Sequence, residues 1–311
     1  MENKYKNNLT ITLCDLFKIL NLGTIEKDCI ACYFDKLGNL KFNNTVVYIQ
    51  SEKDLPKLND SRISGLITTP LLAYKLPGNN EMGVWVYDNP QELFFLIHEL
   101  LIETNFYYIP WNNNISPNAI ISPSAKIADY SIEIGDNCVI EDNVVIKPNT
   151  IIGKNTKIRC NCVIGSDGFE VHILNGKSRV IKHGGLTIIG NNVELQPMVL
   201  VAKGLFPSRN TIIEDNVKVD ALVHIAHASI IREGTMITAG VTIAGNTTIG
   251  KNVYIGPGAI ISNRVNIGDN SYITIGSVVV RDIPDNSKVS GNFAVDHTKS
   301  LKHYAGVWRI K

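Results

Sequence analysis

Val219-Asp220-Ala221-Leu222-Val223-His224-Ile225-Ala226-His227 sits inside a run that places a bulky aliphatic residue at every sixth position. From Ile213 the count passes through Val219, Ile225, Ile231, Ile237, Ile243, Ile249, Ile255, Ile261, Ile267 and Ile273 to Val279 without a slip. A period of six fits neither the helix nor the two-residue alternation of a flat strand. It fits a left-handed parallel β-helix, in which each hexad forms one wall of a triangular prism and three hexads close a coil. Residues eighteen apart then stack at about 4.8 Å, the usual spacing between strands. A histidine is an unusual residue in such a wall, which singles out His227.

Working outward, an earlier block of the same period begins at Ile115 and runs through Ile121, Ile127, Ile134, Ile140, Ile146, Ile152, Ile158 and Ile164, with one extra residue before Ile134. Asn137, Asn143, Asn149, Asn155 and Asn161 share one register. Asparagine tolerates the left-handed backbone that tight corners demand, so these are expected at corners. Two interruptions, 165–186 and 203–210, break the repeat, and long loops in a regular solenoid are more often functional than decorative. Before the repeat, residues 1–108 read as a small α/β domain. Thr12 caps a helix carrying Leu13, Leu16, Phe17 and Leu20. Strands are expected at Thr45–Ile49, Gly65–Thr68 and Val84–Tyr87, and Asp88-Asn89-Pro90 opens a helix with Leu93, Leu96, Ile97, Leu100 and Leu101 on one face. The solenoid is expected over 109–285, followed by an extended crossing and a short C-terminal helix over 286–311. The fold class is therefore mainly β, a solenoid with a small α/β domain in front.

The chain has 311 residues, 44% of them hydrophobic, and a formal net charge of +1. That balance gives no basic excess for nucleic acid and no acidic arm. The N-terminal Met1-Glu2-Asn3-Lys4 leads to no apolar core of signal-peptide length, and no apolar run is long enough to cross a membrane. Cys29-Ile30-Ala31-Cys32 is a lone pair with no second such pair, and no histidine precedes His98, so neither a zinc site nor a redox centre is supported. Cys138 and Cys162 fill the small-residue slot of a hexad. A reduced, cytoplasmic setting follows.

Gly245 lies eighteen residues after His227 and should stack beside it. An unprotonated imidazole there can take a proton from an attacking amine or hydroxyl. The Gly245 amide can stabilise the oxyanion of a tetrahedral acyl-transfer intermediate. Asp220, seven residues upstream on the preceding wall, could orient the ring. On the residues alone two other readings stay open, a purely structural histidine in a silent scaffold and an interfacial metal ligand. For the latter, His224 and His227 lack a third histidine at a stacked position, and no metal is expected.

These residues resemble the UDP-3-O-acylglucosamine N-acyltransferases of lipid A biosynthesis. Gly165-Ser166-Asp167-Gly168-Phe169 matches that family's loop motif, and Val219 to His227 matches its catalytic segment. Ser290-Gly291, Ala294 and His297 echo its C-terminal signature. The resemblance implies a homotrimer with sites in clefts between subunits. His227 would be the general base, Asp220 its partner and Gly245 the oxyanion donor. Asp167, Phe169, His224 and Arg264 would contact substrate. The family holds uracil between two aromatics in a Phe-x-x-Asn-x-x-Tyr motif, and Phe42, Thr45 and Tyr48 stand at that spacing. No bound cofactor is implied. The co-substrate would be a thioester, from acyl carrier protein or coenzyme A, and the acceptor the amine of a nucleotide-linked amino sugar.

Four features depart from the family pattern. Thr45 replaces the asparagine, Arg264 falls near a second active-site histidine, and Glu170 stands where glycine is usual. The chain also stops at Lys311, before the longer helical arm that meets the carrier protein. Its crossing from Gly276 to Ala294 is similar to the tail of acyl-CoA-dependent sugar acetyltransferases. The expectation is an N-acyltransferase of lipid A type, with an acyl-CoA enzyme of surface polysaccharide, or a sugar O-acetyltransferase, as the alternatives.

Overall fold

A computed structural model describes residues 9–38, 40–77, 80–291 and 298–299. From Asn114 onward the chain winds into three parallel sheets of eight, eight and nine strands, the walls of a triangular left-handed β-helix. Rungs pair eighteen apart, as in Ile132 with Thr150 and His224 with Thr242. The two interruptions lengthen single coils without breaking the stack, since Ile152 pairs with Ile189 and Ile189 with Ile213. Each hexad aliphatic from Ile134 to Val279 points inward and is no more than 5% exposed. One continuous apolar column thus runs the length of the prism. Cys138 and Cys162 belong to it, each thiol donating to a carbonyl of the next coil, Gly153 and Gln196.

The corners follow the asparagine reading. Asn137, Asn143, Asn149, Asn155 and Asn161 all have φ between 55° and 64°. Two corner columns depart from the rule, one at Ser131, Ala228 and Arg264 and the other at apolar residues. Where other rungs place Asn161, Gly240, Gly258 or Gly276, two place Met198 and Leu222, with φ of 63° and 62°. Both are more than half exposed.

Ahead of the solenoid, a five-stranded sheet runs in the spatial order Thr24–Lys27, Gly83–Val86, Ile63–Thr68, Thr45–Tyr48, Tyr33–Phe34, with only the first strand antiparallel. The first helix spans Leu13–Leu20, and the Thr12 hydroxyl accepts from the Asp15 amide at its N-terminus. Cys29 of the Cys-x-x-Cys pair packs on this sheet. A Cβ on Gly65 or Gly83 would strike its Sγ at 2.7 or 2.6 Å.

The helix Pro90–Glu103 departs from the one-faced stripe read from sequence. Phe94, Phe95 and His98 are buried as fully as Leu93 and Ile97, while Leu96 and Leu100 are only partly covered. A helix apolar on both sides must be covered on both sides. One side meets the sheet, and the other meets the hairpin Val171–Leu174/Lys177–Val180 of the first interruption. The second interruption docks through Arg209, whose guanidinium donates to Asp35 at 2.8 Å and to the Gly38 carbonyl at 2.8 Å. The Ser208 hydroxyl donates to the same carboxylate. Both loops therefore clamp the small domain beside the His227 wall.

At the far end, Lys288–Val289 adds a last strand to the third sheet. Ala294, His297 and most of the expected C-terminal helix lie outside the described residues. No helix among the described residues is long and apolar enough to cross a membrane.

Candidate functional site

His227 follows the short strand His224–Ile225, at the corner where the chain turns into Ala228 with φ 57°. Its carbonyl accepts from the Asn246 amide of the next coil, which fixes the stacking of Gly245 above it. A Cβ on Gly245 would lie 2.6 Å from His227 Nε2 and 2.8 Å from Cε1. The ring thus occupies the space that any other residue at 245 would fill. A second glycine bounds it from the loop, since a Cβ on Gly168 would meet His227 Cδ2 at 2.9 Å and His183 Nε2 at 2.8 Å. The loop motif needs glycine at 168 for room, because two rings close on it.

Burial holds the half-buried His227 below the usual imidazole range, and the charges of Lys36 and His224 push the same way against Glu170. An imidazole so placed is neutral near pH 7 and able to accept a proton. The cleft in front of it has a volume of about 290 Å³ and is lined by Lys36, Glu170, Phe206, Gly245, Asn263 and Arg264 among others. Glu170 is the cleft's anion. Burial pushes its carboxyl up, but hydrogen bonds from His172 Nε2 at 2.7 Å and Lys36 Nζ at 2.5 Å outweigh that and bring it down to about 2. His172 in turn stacks on Phe95, with ring centroids 4.0 Å apart. A larger cavity of about 1090 Å³ lies elsewhere, in the small domain among Leu55, Ile63, Leu76 and Met82. Size alone would have pointed there; His227 and Gly245 are in the smaller cleft.

The remaining residues singled out from sequence divide. Arg264 is brought to the cleft at a left-handed corner, with φ 63° and its amide bonded to the Gly245 carbonyl. His224 stands on the wall of the same coil, three residues before His227 and stacked between Leu200 and Thr242, and burial lowers it too. Asp167 pairs with Lys203 at 3.0 Å, beside the His183 ring. Phe169 projects, 84% exposed. Asp220 is not brought to His227 within one chain. It follows Val219 on a different sheet, is exposed, and accepts from the Ala221 amide. Seven residues exceed one hexad, so the two side chains fall at different corners of the triangle.

Phe42 and Tyr48 are each half buried, Phe42 against Tyr33 and Tyr48 against Phe94, with the Tyr48 hydroxyl accepting from Gln91. Thr45 is 1% exposed and its hydroxyl donates to the Phe42 carbonyl, so it offers no side-chain atom to a ligand. Sequence reasoning missed Lys36, His172 and His183 as parts of the site. They come from stretches without a repeat, where no stacking rule brings them to His227.

Residues 131–166 and 210–245 match the bacterial transferase hexapeptide family (six repeats). With the coil geometry and the basic cleft, that defines a hexapeptide-repeat transferase. The UDP-3-O-acylglucosamine N-acyltransferase of Campylobacter lari is 30% identical over 234 residues, covering 69% of this chain and 72% of that protein. The protein of the same name from Helicobacter hepaticus is 33% identical over 203 residues, and the match spans 60% of this chain and only 61% of that relative's length. The chain belongs to the UDP-3-O-acylglucosamine N-acyltransferase family. Among solved structures, a UDP-N-acetylglucosamine acyltransferase from Campylobacter jejuni aligns with a TM-score of 0.47 and 20% identity, over 62% of this chain and 83% of that one.

Proposed function

We propose that the protein transfers an acyl group from a thioester to the amine of a nucleotide-linked amino sugar, in the manner of its family. The observation that carries this reading is His227 Nε2 lying over Gly245 at the mouth of a cleft. In the step, the amine nitrogen attacks the thioester carbonyl carbon while His227 Nε2 takes the amine proton. The Gly245 N–H, which has no acceptor among the described residues, faces the oxyanion that forms. Collapse of the intermediate breaks the C–S bond, and the leaving thiolate takes the proton back from His227. Arg264 and Lys36 supply positive charge for the diphosphate of the nucleotide. Phe42 and Tyr48 are the stacking pair for its base. The acyl group is 3-hydroxyacyl in the family's reaction, with acyl carrier protein as donor.

One observation favours a second reading, in which the acceptor carries a base other than uracil and the donor is acyl-CoA. Thr45 is buried and bonded within its own turn, so the position that holds an amide in the family motif has no edge to read. The homotrimer is also part of the proposal. Met198 and Leu222 hold left-handed corners at a cost of roughly 1–2 kcal/mol each and yet leave their apolar side chains in water. Such a stack makes sense when a second copy covers it.

Titrating UDP- and dTDP-linked sugars against the wild type and Phe42→Ala separates the readings. Preference for a UDP-acylglucosamine that disappears in the variant supports the lipid A reaction. Preference for a dTDP-linked amino sugar supports the second reading. Binding of neither would contradict both.

A further inference from the structure

His183 lies in the first interruption, is 2% exposed, and its Nδ1 stands 3.0 Å from the Ile181 carbonyl. A carbonyl only accepts, so the His183 proton is on Nδ1 and the Nε2 lone pair is bare. That Nε2 is buried with no hydrogen-bond partner, and so is Nδ1 of His227. Two orphaned nitrogens in adjacent buried rings are costly unless they serve one another. The rings are 5.3 Å apart and nearly perpendicular, at 77°.

His183 Nε2 and His227 Cδ2 border the same small space beside Gly168. A half-turn of the His227 imidazole about Cβ–Cγ changes almost nothing in the volume it fills. It sets Nδ1 where Cδ2 stands, facing His183 Nε2. It sets Nε2 where Cε1 stands, still over Gly245, because Cε1 is 2.8 Å from the Gly245 Cβ position against 2.6 Å for Nε2. Both orphans are satisfied and the catalytic edge stays in place.

We infer that His183 is a positioning residue for His227, accepting the His227 Nδ1–H at its bare Nε2, directly or through one water beside Gly168. A neutral imidazole has a single proton, and if it sat on Nε2 that nitrogen could not act as the base. His183 confines it to Nδ1. The inference rests on His227 being the base, as proposed above. Supporting it, burial first and His227 second hold His183 down at about 4, so it stays an acceptor throughout the neutral range. The charged groups facing the pair are Asp167 and Lys203 on the His183 side, and Glu170, Lys36 and His224 on the His227 side.

Nitrogen-15 spectra of histidine-labelled full-length protein test this without any substrate. At neutral pH His227 should show a protonated Nδ1 and a bare Nε2; a proton on Nε2 overturns the inference. Kinetics give the second arm. His183→Leu should lower kcat by about 10- to 100-fold, by analogy with the loss of a partner that orients a metal-ligating histidine, with KM unchanged. Its acid limb in kcat should move to lower pH, because the lost acceptor favoured protonated His227. His183→Gln, which restores an accepting oxygen, should recover most of the rate. Equal losses in the two variants with no movement of the limb would reduce His183 to a packing residue and overturn the inference. If the wild type acylates no amino-sugar nucleotide, the proposed function fails, and the spectra still decide the role of His183.

Discussion

Gly245 is the residue at which stacking arithmetic and chemistry meet. Its neighbour could be counted off the sequence because a rung repeats every eighteen residues. Gly245→Ala would drive a methyl into His227 Nε2, so kcat should fall by about two orders of magnitude or more while the solenoid, built from other residues, keeps its thermal midpoint. A normal rate would show that the Nε2 edge is not where the reaction occurs. The pH dependence of the wild type belongs here too. With His227 held below 6.5 by burial, kcat should be flat around neutrality and fall only under that value. Gly168, Lys36 and His183 were beyond the same arithmetic, since they lie in aperiodic segments and reach the ring only through tertiary docking. Asp220 is the opposite case, legible as a motif residue but placed by the hexad count at another corner.

At the scale of elements, periodic segments were readable and their partners were not. Six-residue spacing defined the strands and asparagine defined the corners, because both act within a rung. The helix Pro90–Glu103 carried more apolar faces than one sheet could cover, and the extra side found its cover in a loop hairpin distant in sequence. The second loop is held by a buried ion pair. Removing Arg209 leaves the Asp35 carboxylate, 1% exposed, without its cation. Breaking such a pair costs about 3–5 kcal/mol. Arg209→Ala should therefore lower the denaturant midpoint and loosen the Lys36 side of the cleft. Paired substitution of Asp35 and Arg209 by apolar residues should recover stability. An Arg209→Ala protein as stable as the wild type would show that the loops do not clamp the small domain.

For the whole molecule, the buried histidines set the response to acid. Burial holds His98 at about 3 and His183 at about 4, both far below the unfolded value of 6.5. The unfolded chain takes up these protons first, so the two histidines' contribution is constant above pH 6.5 and is lost as pH drops from there toward 4 and then 3. Glu170, held at about 2 against an unfolded 4.5, adds to the loss at the lower end. Thermal unfolding recorded against pH should show that decline; a midpoint unchanged down to pH 4 would mean the two histidines are not buried as described. The prism itself, with its single apolar column, was open to prediction from sequence. The exposure of Met198 and Leu222 was not, since the hexad count does not say which side chain a left-handed corner holds or what lies outside it. The most direct measurement is an assay with UDP-3-O-(3-hydroxyacyl)glucosamine and 3-hydroxyacyl carrier protein, comparing wild type with His227→Ala by mass spectrometry of the product. The role of His227 as the base requires an alkali-stable amide from the wild type and a rate lower by about 10²–10⁴-fold in a correctly assembled variant. Near-normal amide formation by His227→Ala would contradict it.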